Sequence, residues 1–147
     1  MGNVGEKHIQ KSEIRKIQIP DKLSNTDVIT WLHSKEIDWK YMLLFKQYTS
    51  LKDEIISDWF NISVKTFRNY RKPENKLKDN LKEQLILLLS LFKHGSEVFG
   101  SNDDFNQWLN QANFYFGGEA PVLYLNTIAG IRFVESRITA MEYGDNV

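Results

Sequence analysis

The run Leu85-Ile86-Leu87-Leu88-Leu89-Ser90-Leu91-Phe92 constrains this chain more than any other segment. It is far shorter than the ~20 apolar residues that a membrane-spanning helix needs. It also sits inside a repeat, because Leu81, Leu85, Leu88 and Phe92 recur at intervals of four, three and four and so share one face of a helix. Such a run is read as a buried core helix, expected from about Lys78 to Phe99. Gly95 is expected to interrupt its last turns, at about 1 kcal/mol relative to alanine, and Gly100 to close it.

The remaining signals are also helical, and the fold expected is all-α. Ser24, Asn25 and Thr26 are N-cap candidates ahead of Val28, Ile29 and Leu32. Tyr41, Leu44 and Phe45 form one face of a helix over Trp39 to Tyr48, a third helix runs from about Leu51 to Phe60, and a short fourth from Ser63 to Arg71 stops before Pro73. Beyond the core helix, Ser101 caps a helix with Asp103 and Asp104 at its positive end and Phe105, Trp108 and Leu109 within it. Gly117-Gly118 makes a turn, Pro121 opens a short helix, and Gly130 lies where a missing side chain admits another backbone. Thr127 caps a last helix to about Tyr143, with Ile128, Ile131, Val134, Ile138 and Met141 inward and Gly144 as its stop. Residues 1–23 read as an arm in which Ile14, Ile17 and Ile19 form a short strand or a docking segment, ended by Pro20.

At 147 residues the chain holds one ordinary domain or two small ones. It has no cysteine, which excludes a disulfide scaffold, a thiolate zinc site and a cysteine nucleophile, and fits a cytoplasmic location. No apolar stretch follows Met1-Gly2-Asn3-Val4-Gly5-Glu6, so no signal peptide is expected. His8, His33 and His94 lack partners at metal-ligand spacing, Asp103-Asp104 is explained by helix capping, and Gly117-Gly118 lacks the rest of a phosphate loop. No enzyme activity, catalytic residue, metal or cofactor is therefore expected, and no membrane partner.

Net charge is zero but unevenly spread. Residues 1–100 carry 17 Lys and Arg against 13 Asp and Glu, whereas residues 101–147 carry 2 against 6. The basic excess peaks at Lys65, Arg68, Arg71, Lys72, Lys76, Lys78 and Lys82. Such asymmetry suits two halves with different partners, the basic one facing an anion such as DNA, although a solvated helix face would show the same excess.

Residues 53–71 carry the parts of a helix-turn-helix in order. Ile55, Ile56, Trp59 and Phe60 supply an apolar face, and Ser57 is the small residue at the crossing. Asn61 takes a turn position where a left-handed backbone is needed, Ile62 plugs the turn, and Ser63 caps the second helix. Phe67 and Tyr70 point inward. The DNA-binding candidates are Ser63, Val64, Lys65, Thr66, Arg68, Asn69, Arg71 and Lys72. Lysine can donate to guanine, asparagine can bond adenine twice, and threonine and valine can touch a thymine methyl. Arg68, Arg71 and Lys72 are assigned to phosphates.

The segment resembles the Xre class of helix-turn-helix, whose Gly-Val-Ser turn appears here as Asn61-Ile62-Ser63 and whose terminal aromatic is Tyr70. Further on, the ordered set Phe99-Gly100, Trp108-Leu109, Asn113, Phe116-Gly117-Gly118, Pro121, Leu125-x-Thr127, Gly130, Val134 and Glu142-Tyr143-Gly144 resembles the toxin-binding domain of Xre/MbcA/ParS-type antitoxins. The chain departs from that family where Asn110-Gln111-Ala112-Asn113 lacks the usual proline and where Gly95 replaces a small alanine. The resemblance implies a DNA-binding domain over 24–98 and a toxin-binding domain over 99–147. It also implies a homodimer that binds operator DNA and neutralises a cognate toxin, often a RES-domain protein that consumes NAD or transfers ADP-ribose from it. The toxin-contact residues it suggests are Arg132, Glu135, Tyr143, Gly144 and Asp145. A stand-alone helix-turn-helix transcription regulator, with a C-terminal half that dimerises or senses a ligand, is the alternative.

Overall fold

The computed structural model describes Ile14 and residues 16–144, and among these no strand forms. Local chemistry sets the helix starts. In α1 (Asn25–Ser34) the Ser24 hydroxyl accepts from the Asp27 N–H at 3.1 Å and the Asp27 carboxylate accepts from the Ser24 N–H at 2.9 Å, a reciprocal capping box. α2 (Trp39–Thr49) is capped by Asp38 and ends at Ser50 in the left-handed region. α3 (Asp53–Trp59) and α4 (Val64–Asn69) follow, with Ser63 capping α4 through the Thr66 N–H. α5 (Asp79–Phe99) ends at Gly100, whose φ of 92° suits a residue without a side chain. Ser101 caps α6 (Asn102–Leu109), and short 3-10 turns occupy Phe114–Phe116 and Pro121–Tyr124. Thr127 caps α7 (Ile128–Glu142).

α5 is the axis of the molecule. Residues 84–92 are buried along its whole circumference, because α1 and α2 pack on one side of it and α6 and α7 on the other. One apolar core runs through both halves. A chain of ring contacts links α2 to α7 through Phe45–Phe92 (5.5 Å between centroids), Phe92–Phe105 (5.1 Å), Phe105–Trp108 (6.2 Å), Trp108–Phe116 (5.9 Å) and Phe116–Phe133 (5.0 Å), mostly edge to face.

Several expectations are refined by this packing. α5 passes through Gly95 without a break. The reason for glycine there is the Phe105 ring, whose Cζ would stand 2.5 Å from an added Cβ. Gly130 meets its expectation, since a Cβ there would collide with the Tyr124 carbonyl oxygen. The segment opened by Pro121 is a 3-10 turn rather than an α-helix. Ile29 is 56 % exposed, so α1 turns Val28 and not Ile29 into the core. In the N-terminal arm Ile14 and Ile19 are buried, Ile14 lies in a helical turn closed by the Ile17 N–H at 3.1 Å, and Lys93 donates to the Ile19 carbonyl at 2.7 Å, a segment docked on α5 rather than a strand. The rest of the arm, residues 1–13 and 15, lies outside the described residues.

Candidate functional site

The α3–turn–α4 pair is built from inside outward. Ser57 is buried where the two helices meet, and the Ile62 N–H donates to its carbonyl at 3.1 Å. Asn61 adopts φ 55°, the left-handed conformation that the turn demands and that asparagine tolerates better than most residues. Phe67 is fully buried and stacks on Phe60 at 6.5 Å, with Ile62 and Tyr70 packed against the same core. This anchoring leaves Lys65 and Arg68 exposed on α4 and Lys72 exposed just after it, while Val64, Thr66, Asn69 and Arg71 are half-buried. The Ser63 hydroxyl is occupied with the Thr66 N–H and hydroxyl, at 3.0 and 2.9 Å, so it serves the helix cap.

Asp53, at the start of α3, gathers the cations of this surface. Its carboxylate meets Arg68 at 2.9 Å, Arg71 at 3.1 Å and Lys46 of α2 at 3.0 Å. Burial pushes its carboxyl up, but hydrogen bonds from Arg68 and Lys46 and the charge of Arg71 more than offset that and hold it at about 2. Sequence reasoning missed Asp53, because its partners lie 15 and 18 residues ahead and no periodicity connects them. The consequence for the candidate DNA residues is that Arg68 and Arg71 are oriented by a carboxylate, and Lys65 is the exposed cation of α4 with no such tether.

The α3–α4 pair is also fastened to the C-terminal half. The Asn61 amide donates to the Asn126 carbonyl at 3.0 Å, and the buried Gln84 amide donates to the carbonyls of Trp59 (2.5 Å) and Leu125 (3.3 Å).

At the C-terminal end, two of the candidate contact residues turn inward. Arg132 donates to the Leu23 carbonyl and, at 2.8 Å, to the Asn25 side chain, tying α7 to the segment before α1. Glu135 contacts His94 Nδ1 at 2.5 Å, and His94 Nε2 contacts Glu142 at 2.5 Å. The other oxygen of Glu142 pairs with Lys22 at 2.6 Å. Burial pulls the His94 imidazole down, but the two carboxylates more than offset it and raise it above its ordinary value. Burial pushes Glu135 up to about 7 against the pull of His94. Lys22 and His94 hold Glu142 below the ordinary range. Tyr143, 78 % exposed, and Gly144 face solvent, and Asp145 lies outside the described residues.

A second flank of α7 is apolar and open. Phe133 packs its ring on Phe116 and Tyr124 yet remains partly exposed. One turn along, the Arg137 guanidinium lies 3.6 Å from the centre of the Tyr115 ring. Tyr115 meets Phe114 edge-on at 5.6 Å, and Phe114 is 89 % exposed. The sequence reading passed over this ledge, because apolar residues at helical spacing are usually core.

Among the described residues no group of three His, Asp or Glu side chains is placed to hold a metal ion, and no helix is long and apolar enough to cross a membrane.

Residues 94–144, which include His94, the last turn of α5, α6, both 3-10 turns and α7, match the family model of the antitoxin Xre/MbcA/ParS C-terminal toxin-binding domain. No curated protein matches the chain.

Proposed function

We propose that this chain, whose residues 94–144 match the Xre/MbcA/ParS toxin-binding domain, is the antitoxin of a type II toxin–antitoxin pair. It binds and neutralises a cognate toxin, of the RES-domain type that consumes NAD or transfers ADP-ribose, and it represses its own operon by binding operator DNA as a homodimer. It acts in the cytoplasm and has no catalytic role. The observation that carries the reading is the toxin-binding match, which falls on helices whose outer surfaces are open.

The DNA half rests on α4. A helix held at its back by Phe67 and Tyr70 can lay its exposed side in a major groove, with Lys65, Thr66 and Asn69 toward base edges and Arg68, Arg71 and Lys72 toward phosphates. Phosphate neutralisation releases counterions, so operator affinity falls as salt rises. For the toxin half, Tyr143 and Gly144 lie at the exposed end of α7, free to enter a partner's pocket, with Asp145 next in sequence. Glu142 holds that end in position through Lys22 and His94, and Arg132 and Glu135 tie the earlier turns of α7 to Leu23, Asn25 and His94.

Co-expression with the product of the adjacent reading frame tests the reading. That product is expected to arrest growth alone and to be harmless beside this chain. Replacing Lys65 and Arg68 with alanine is expected to abolish operator binding while sparing neutralisation. A neighbour that is harmless alone, or that stays toxic beside this chain, refutes the antitoxin role. DNA binding with no toxin partner would leave the stand-alone regulator in its place.

A further inference from the structure

The ledge on the second flank of α7 has no internal purpose that explains its exposure. Phe114 contributes almost nothing to the core, and among the described residues its one ring neighbour is Tyr115, itself partly exposed. Single exposed apolar residues are ordinary on protein surfaces, but a contiguous cluster marks a site of association. Two of its aromatic residues are held in place. Tyr115 is fixed from above by Arg137, its backbone N–H donates to the Asn113 side chain at 3.0 Å, and Phe133 is seated on Phe116 and Tyr124. Aromatic and arginine side chains held in place before association lose little conformational freedom on binding, which is why they dominate the energetics of protein interfaces.

We infer that Phe114, Tyr115, Phe133 and Arg137 form the anchoring surface for the toxin, and that the toxin meets them with an apolar patch on a basic surface. The inference rests on the antitoxin reading and assigns it a surface. The ledge lies wholly within residues 94–144, the part of the chain matched as toxin-binding. The partner's charge follows from that of the matched segment. Those residues hold six carboxylates against two arginines, and Asp103, Asp104 and Glu119 stand exposed outside the His94 network. An acidic excess over the whole matched segment favours a basic partner and disfavours a second copy of the same segment.

The experiment compares the wild-type chain with Phe114→Asp and Phe114→Leu. It measures affinity for the product of the adjacent reading frame, neutralisation in cells, and sedimentation of the free chain. Phe114 is so exposed that Phe114→Asp is expected to keep the wild-type thermal midpoint, and Phe114→Ser carries the same test should the aspartate variant fail to fold. Phe114→Asp is expected to weaken the complex about tenfold or more, as loss of an interface anchor does, whereas Phe114→Leu stays within about threefold. Raising the salt concentration is expected to weaken the wild-type complex. A complex as tight with Phe114→Asp as with the wild type overturns the proposal, while leaving the antitoxin role intact. So does a variant that turns a dimer into a monomer at unchanged toxin affinity, which would make the ledge a self-association surface. If the wild-type chain neither binds nor neutralises that product, the antitoxin reading fails and the ledge assignment falls with it.

Discussion

Replacing Asp53 with asparagine removes one charge and almost no volume, so it isolates what the carboxylate does for the α3–α4 pair. The side chain is only 12 % exposed and touches Lys46, Arg68 and Arg71. Its pKa falls from an ordinary 3.8 to about 2, which at about 1.36 kcal/mol per unit sets a ceiling of about 2 kcal/mol on its contribution at neutral pH. Arg68 is more than half exposed, and solvent screening discounts its share, so the expected loss is about 1–2 kcal/mol. The sign of the pH dependence follows from the depressed folded-state value. The contribution is fully present well above 3.8 and is lost as pH falls through that value toward 2. Urea denaturation of both proteins at pH 7, 4 and 3 checks this. The gap between them is expected to be widest at pH 7, nearly as wide at pH 4, and clearly narrower at pH 3. Equal stabilities at pH 7, or a gap that does not shrink on acidification, would refute the reasoning.

The His94 network predicts a different profile. Glu135 is raised from 4.5 to about 7 and His94 is raised as well, so the folded state holds more protons than the unfolded one below neutrality, and stability is expected to fall as pH rises from about 4.5 through about 7. Glu135→Gln, which removes that titration and one of the carboxylates that raise His94, is expected to flatten that slope, as measured by thermal midpoints across the range. Gly130→Ala drives a Cβ into the Tyr124 carbonyl and is expected to cost about 3 kcal/mol, well beyond the gain from alanine's helix propensity; a variant as stable as wild type in urea would contradict the packing described. Gln84→Leu deprives the Trp59 and Leu125 carbonyls of their shared donor and is expected to cost about 1–3 kcal/mol by the same assay.

The helices themselves were legible in the sequence because their determinants are local. A serine or threonine hydroxyl reaches an N–H only two or three residues on, so Ser24, Ser63, Ser101 and Thr127 mark helix starts whatever surrounds them. Asn61 and Gly100 mark turns through backbone angles that few residues adopt. Leu81, Leu85, Leu88 and Phe92 share a face through the helical repeat alone. The candidate DNA surface follows in part from the same logic, since inward Phe67 and Tyr70 leave Lys65 and Arg68 outward.

What needed the folded chain are the contacts between residues far apart in sequence. No pattern announces that Asp53 draws in Lys46, Arg68 and Arg71, or that Arg132 and Glu135, read as contact residues, are spent on Leu23, Asn25 and His94. Gly95 reads as a weak point until the Phe105 ring is placed against it. Phe114 and Phe133 look like any other aromatic residues until burial shows one to be almost fully outside and the other half so. Helix periodicity and capping report only on neighbours along the chain, whereas exposure and ion pairing depend on which surfaces α5 brings together. The sequence alone therefore determined where the helices begin, end and turn, and only the tertiary structure decided which of their polar and aromatic side chains remain available to a partner.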